Sequence, residues 1–167
     1  MTTIKTDVLG EVTRDGEAWS VRYVRSLDTP RPRVWDAITN HEQVATWMMT
    51  DEMTLEPRLG GAVHYRWGPS DRSDGDISTF DPPRTIEYSW REGSHTSMVR
   101  FELEETTTGT DLTLHHWNLS RDEVNGVGPG WHTHLELLAA TLASEPFDFD
   151  ARFDELKPRY AAVIEDL

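Results

Sequence analysis

Hydrophobic and polar residues alternate along much of the chain up to residue 119, and this period of two predicts strands. Trp19, Val21 and Tyr23 alternate with polar residues in the segment 18–27. The segment 8–13 precedes it, and the turn between the two contains Asp-Gly, a strong signal for a tight hairpin. The chain is therefore expected to begin with a β-hairpin.

Two short segments after this hairpin have helical spacing instead. Val34 and Ile38 lie one turn apart after Pro32, which predicts a helix that begins near that proline. A second helix is predicted over residues 41–48, and Asn40 can end the first helix or cap the second.

Alternation then returns and predicts a meander of strands joined by short loops of Gly, Pro, Asp and Ser. The predicted strands are residues 54–56, 62–67, 75–80, 85–91, 95–104 and 110–119. A polar connector is expected over 120–127. Together with a long helix after it, this order predicts an α+β fold with one antiparallel sheet and its helices on one side.

The long helix is predicted to begin at the Gly-Pro-Gly run before Trp131 and to end near residue 143. Its apolar residues recur on one face, which would lie against the sheet. A tail over 146–167 has Phe153, Leu156, Tyr160 and Ile164 near one face, and Pro158 is expected to kink or split it. We expect one domain over 1–145, with the tail packing on that domain or on a partner in a homodimer.

Composition narrows the classes of function. The 167 residues include 16 Lys and Arg against 30 Asp and Glu, a formal net charge of −14. Such a surface repels phosphate groups, so binding to nucleic acid or to anionic membranes is disfavoured. Cysteine is absent, which excludes disulfides and thiolate metal sites. Neither a signal peptide nor an apolar run of about 20 residues is visible, so a cytoplasmic location without a membrane span is expected.

Four short groups of residues, taken in chain order, carry a family resemblance. They are Arg22-Tyr23-Val24-Arg25 with Val34-Trp35-Asp36-Ala37-Ile38-Thr39; Arg58-Leu59-Gly60-Gly61; Phe80-Asp81-Pro82-Pro83-Arg84; and Gly109-Thr110-Asp111-Leu112-Thr113-Leu114 with Gly130-Trp131. In this order they resemble the START-like or SRPBCC superfamily, and within it the Aha1-like branch (homologues of the activator of heat-shock-protein-90 ATPase). The resemblance implies a helix-grip fold, a curved antiparallel sheet wrapped around a long C-terminal helix.

The resemblance is less specific about function than about fold. The superfamily includes lipid and steroid carriers, hormone receptors, and polyketide cyclases and aromatases. We therefore expect a small hydrophobic or amphipathic ligand, namely a lipid, a steroid or an aromatic polyketide-like molecule, in an internal cavity between the sheet and the long helix. Two alternatives stay open, a co-chaperone that activates a chaperone ATPase and a cyclase or aromatase. Fold alone does not decide among them.

An aromatic and sulfur-rich set of residues is expected to line that cavity. The candidate ligand-binding residues are Trp47, Met49, Tyr65, Trp67, Trp90, Trp117, Trp131, His134 and Leu135. His134 is the candidate polar anchor among them. No catalytic residue, cofactor or metal is predicted.

Three further histidines, His132, His115 and His116, are not among the candidate ligand-binding residues. His132 and Glu136 lie one turn apart and could bind a metal or act as acid and base, but no third ligand is placed by the sequence. They are interpreted as a pair at the rim of the cavity. On the strand 110–119, His116 shares a face with Leu112 and Leu114, so His116 rather than its neighbour His115 is expected to be buried.

Overall fold

The computed structural model of the chain describes residues 6–167. Within that range the elements follow the order β1 (Glu11–Asp15), β2 (Ala18–Leu27), α1 (Arg31–Thr39), α2 (His41–Met48), β3 (Glu52–Leu55), β4 (Ala62–Trp67), β5 (Asp71–Asp81), β6 (Thr85–Glu92), β7 (His95–Glu105), β8 (Thr110–Leu119), α3 (Arg121–Ala143) and α4 (Phe149–Glu165).

All eight strands form one antiparallel sheet in the order β1-β2-β8-β7-β6-β5-β4-β3. Strands β3 to β8 follow one another as a meander, and the first hairpin joins the sheet because β2 pairs with β8. The predicted α+β helix-grip fold is confirmed. Because neighbouring strands run in opposite directions, the end of β4 and the start of β5 reach the same edge of the sheet as the ends of β6 and β8.

The long helix α3 packs on the sheet through the apolar face that its sequence predicts. Trp131, Leu135 and Leu138 are between 1% and 4% exposed. Between helix and sheet the interior is filled by large side chains, among them Phe101 and Leu114 at 1% and 0% exposure. The space that the sequence suggested as an internal cavity is therefore packed, as in most protein interiors.

Helix α3 begins earlier than the sequence predicted, because residues 121–127 are helical and do not form a polar connector. Ser120 and Glu123 form a capping box, with the Ser120 hydroxyl accepting from the Glu123 amide and the Glu123 carboxylate accepting from the Ser120 amide. This pair is a recognised signal for a helix start. Pro129 lies inside the helix, so the run of Gly and Pro does not start it.

Helix α4 is continuous through Pro158, so the expected split at that residue is wrong. Its buried residues Leu156, Tyr160 and Ile164, which are 0–2% exposed, belong to the same core as α3. This packing holds the helix together across a residue that lacks an amide hydrogen. The tail thus buries its apolar face against its own chain.

Candidate ligand-binding cleft

A cleft of about 620 Å³ opens at the edge of the sheet where β4, β6 and β8 end and β5 begins. The first turns of α3 and of α4 form its other sides. Its lining residues are Met48, Trp67, Asp71, Trp90, Glu92, Leu119, Asp122, Glu123, Gly126, Val127, Gly130, Trp131, His134, Phe149 and Phe153. The cleft is open to solvent, in contrast to the internal cavity expected from the sequence.

Five aromatic rings line the cleft. Trp90 and Trp131 are only 7% and 4% exposed and form the floor, with ring centroids 5.6 Å apart. Trp67 is half-buried and lies 6.0 Å from Trp90. Phe149 and Phe153 on α4 stack on each other at 6.1 Å and form the facing wall. Flat apolar surfaces of this kind suit a planar or hydrocarbon ligand.

A chain of buried hydrogen bonds fixes the floor. The Trp131 indole donates from Nε1 to Nδ1 of His116 at 2.9 Å. His116 therefore carries its proton on Nε2 and donates it to the Ser97 hydroxyl at 2.7 Å, and Ser97 in turn donates to the Trp90 carbonyl at 3.3 Å. Burial, together with the charges of His115 and His95, lowers the pKa of His116 to about 3. The neutral ring is thus a structural support that orients Trp131.

His134 supplies a polar group on the wall of the cleft. Its Nδ1 donates to the Trp47 carbonyl at 2.9 Å, because a carbonyl oxygen only accepts. Burial lowers the pKa of His134 to about 4, although the bond to Trp47 acts in the opposite direction. Nε2 is therefore an acceptor, and it makes no hydrogen bond with any of the described residues.

Four carboxylates stand among the lining residues. Glu92 accepts from Nε1 of Trp90 at 2.7 Å, and Glu123 lies 3.2 Å from Nε2 of His95 besides capping α3. Asp71 and Asp122 are exposed, and neither side chain bonds to another residue of the described range.

The sequence-predicted site residues fall into three groups. Trp67, Trp90, Trp131 and His134 line the cleft. Trp47, Tyr65 and Leu135 lie in the packed core, at 1%, 1% and 3% exposure. Tyr65 stacks on Trp67 at 5.2 Å and so supports the wall from behind.

Met49 and Trp117 form the third group, and their expected place in the cavity is corrected by the structure. Met49 caps the C-terminal end of α2 with a left-handed backbone, is 51% exposed and does not line the cleft. Trp117 follows the buried His116 on β8, so its side chain points to the opposite face of the sheet. There it stacks on His115 at 4.9 Å.

Sequence reasoning missed the contributions of α4 and of the carboxylates. Phe149 and Phe153 lie four residues apart, a spacing that shows one helical face but not the element that faces it. Asp71 was expected in a loop, whereas β5 begins at that residue.

The interpretation of His132 and Glu136 as a pair at the rim is wrong, because they are 0% and 2% exposed. Arg152 of α4 binds the Glu136 carboxylate through two nitrogens, at 2.8 and 3.0 Å. His132 donates from Nε2 to the Thr6 carbonyl and accepts from the Tyr160 hydroxyl. Burial raises the pKa of Glu136, but hydrogen bonds from His132, Arg152 and the Thr6 amide outweigh it and lower that pKa overall. This cluster joins α4 to α3 and does not line the cleft.

No group of three or more His, Cys, Asp or Glu side chains in residues 6–167 is arranged to hold a metal ion. Over the same range, no helix combines the length and the apolar character needed to cross a bilayer.

Comparison with known proteins supports the fold and the family. The sequence model of the "Activator of Hsp90 ATPase homolog 1-like protein" family matches residues 28–143. The crystal structure of CalU16 from Micromonospora echinospora is similar with 28% identity and a TM-score of 0.78, covering 95% of this chain and 99% of that one.

Two further structures share the fold at lower identity. MLL2253 from Mesorhizobium loti is 23% identical with a TM-score of 0.71, covering 77% of this chain and 99% of that one. EF2215 from Enterococcus faecalis, a conserved protein of unknown function, is 14% identical with a TM-score of 0.75, covering 95% and 91%. None of the curated proteins matches the sequence.

Proposed function

Since this chain belongs to the Activator of Hsp90 ATPase homolog 1-like family, we propose that it binds a small aromatic or amphipathic molecule in the cleft at the edge of its sheet. The observation that carries this proposal is the aromatic cleft of about 620 Å³. Ligand sites are typically apolar clefts of about 300–1,000 Å³ with a few polar groups. The resemblance to a superfamily that includes carriers of lipids and steroids agrees with it.

The rigidity of the floor favours binding. Trp131 is held by His116, and the main chain at Trp90 is held by Ser97. A ligand that stacks on these rings does not have to order them first, so the entropic cost of binding is small. This is the arrangement expected of a preformed site rather than of a surface that reshapes around its partner.

His134 gives the proposed ligand its orientation. The free lone pair on Nε2 accepts a hydrogen bond, so a ligand with an O–H or N–H group on an apolar body fits better than a pure hydrocarbon. Trp67 and Phe149 contribute apolar contact on either side.

A variant that fills the cleft tests the proposal. Gly126 lies on the cleft, and a Cβ added at this position meets nothing within 4 Å. We expect Gly126→Phe to occupy the cleft and to weaken binding of the neutral fluorescent probe N-phenylnaphthylamine by at least about 10-fold, because the probe loses its apolar contacts. The measurement is a titration followed by probe fluorescence, with the bound stoichiometry read by native mass spectrometry.

The matched control is Asn125→Phe on the exposed side of the same helix, where the added ring does not line the cleft. It should bind the probe as the unmodified protein does. If the unmodified protein does not bind the probe, or if both variants bind it equally well, the proposed function is wrong.

A further inference from the structure

The carboxylates that line the cleft indicate which of the ligands that fit its shape would bind there. Asp71, Glu92, Asp122 and Glu123 are among the lining residues, and no Lys or Arg of residues 6–167 is. The carboxylates come from β5, from the end of β6 and from the first turn of α3, so they approach the cleft from three elements.

Two of these carboxylates have their charge uncompensated by any described side chain. Asp71 and Asp122 are exposed and make no ion pair, whereas Glu123 faces His95 at 3.2 Å. Lys157 on α4 lies over Phe153, with its Nζ 5.7 Å from the centroid of the Phe153 ring, and it does not line the cleft.

The rings below the carboxylates also favour positive charge. The faces of Trp67, Trp90 and Trp131 are electron-rich, and indole is the side chain that attracts cations most strongly. His134 stays neutral because burial lowers its pKa to about 4, so it adds no positive charge and offers an acceptor to an N–H donor.

We propose that the ligand of this cleft is an organic cation, an amine carried on an aromatic or aliphatic body. The inference rests on the proposed function, and it names the ligand class for the same site. The apolar body lies against the rings, and the ammonium group lies between Asp71, Asp122 and the indole faces. Fatty acids, phospholipids and other anions are disfavoured, because no Lys or Arg of the part of the chain that the structure describes lines the cleft and the chain has a formal net charge of −14.

Three ligands of similar shape but different charge separate the effect of charge on affinity from the effect of apolar contact. Naphthylmethylamine is a cation, naphthylmethanol is neutral and naphthoate is an anion. Each is titrated against bound N-phenylnaphthylamine, and displacement is read from probe fluorescence. We expect the amine to bind about 10-fold more tightly than the alcohol, and the carboxylate more weakly than both, since several partly shielded charges act together.

Added salt provides a second measurement. Exposed charges are screened once the ionic strength brings the Debye length to about 10 Å or less. The advantage of the amine over the alcohol should therefore shrink as NaCl is raised, while the affinity of the alcohol stays unchanged or increases.

A variant that removes two charges tests whether the preference for the amine over the alcohol comes from the cleft. The double variant Asp71→Asn and Asp122→Asn should bind naphthylmethylamine and naphthylmethanol with affinities that differ by less than about 3-fold, because the unpaired charges are gone. The control Glu104→Gln and Glu105→Gln removes the same charge from exposed residues at the end of β7, where the opposite edge of the sheet lies. It should keep the preference for the amine.

The outcomes distinguish this inference from the proposed function. If the alcohol and the amine displace the probe equally well, the cleft binds ligands but the preference for cations is wrong. If the Glu104 and Glu105 control loses the preference as fully as the Asp71 and Asp122 variant does, the preference comes from net charge and the assignment to the cleft is overturned. If no probe binds, the proposed function itself fails.

Discussion

A single buried histidine illustrates how one residue decides the shape of the cleft. His116 is 0% exposed and is bonded at both ring nitrogens, to Trp131 and to Ser97. A second proton on Nδ1 would face the Trp131 indole N–H, which is a donor and cannot accept it, so the neutral form is favoured. The order of residues on β8 predicts that this ring faces inward, but the two partners lie on other elements and no local pattern identifies them.

This histidine leads to a prediction on pH. Its pKa in the folded protein, about 3, is below the value of 6.5 for an unperturbed histidine. The unfolded chain therefore takes up this proton on acidification while the native protein does not, and the contribution of His116 to the free energy of unfolding falls as the pH drops from about 6.5 towards about 3. Nitrogen-detected NMR of the ring should show no titration down to about pH 4.

Free histidine added to the same sample serves as the reference for that measurement. A His116 ring that titrates together with the free amino acid would contradict the assigned hydrogen bonds. It would also mean that the floor of the cleft is held in some other way.

At the scale of elements, the contact between α3 and α4 gives the cleft its second wall. The Tyr23 hydroxyl donates to the Gly128 carbonyl, and Tyr160 lies close to the same glycine. Arg152 and Glu136 add a buried, bidentate ion pair at the same interface. Because α4 is anchored in this way, Phe149 and Phe153 are held against the cleft.

Two glycines on α3 test this interface. A Cβ added at Gly128 would lie 2.9 Å from Cδ1 of the buried Tyr160, while a Cβ at Gly130 meets nothing within 4 Å. We expect Gly128→Ala to lower the free energy of unfolding by about 1–3 kcal/mol through overpacking. Gly130→Ala should raise it by about 0.5–1 kcal/mol, because alanine is the better helix former.

Urea unfolding of the two variants beside the unmodified protein measures both changes. The intrinsic gain in helix propensity is the same at the two positions, so their difference isolates the contact with Tyr160. Equal stabilities of the two variants would contradict the close packing of α4 on α3.

At the scale of the whole molecule, the tail could have covered either its own domain or a second copy. The structure buries the apolar face of α4 within the chain. Over residues 6–167, the exposed large hydrophobic residues come from different segments of the chain, and they are Val8, Val24, Met49, Leu59 and Leu167. A formal net charge of −14 adds repulsion between copies.

We therefore expect the protein to have the mass of one 167-residue chain in solution. Light scattering coupled to size-exclusion chromatography, at low salt and again at high salt, measures this mass. High salt screens the repulsion between copies, so it is the more demanding condition. A mass of two chains in both buffers would show that another surface mediates dimerisation.

The sequence by itself determined the plan of the molecule. Polar and apolar residues alternate on the strands, and apolar residues recur on one face of α3. Because these periods follow from backbone geometry alone, they predict which side chains are buried. That information was sufficient for the α+β plan with one antiparallel sheet and for the inward face of His116, and it should also have excluded Trp117 from the cavity. The helix-grip fold was implied by the family resemblance.

Tertiary structure alone decided the site. The cleft joins Trp67, Trp90 and Trp131 to Phe149 and Phe153, and Arg152 turns Glu136 into half of a buried ion pair. These residues are far apart along the chain, and periodicity reports burial without naming the neighbour. Which residues meet depends on how the strands, α3 and α4 pack together. A local pattern of polar and apolar residues looks the same for any side chains of similar polarity, whereas a contact in the folded protein requires particular side chains.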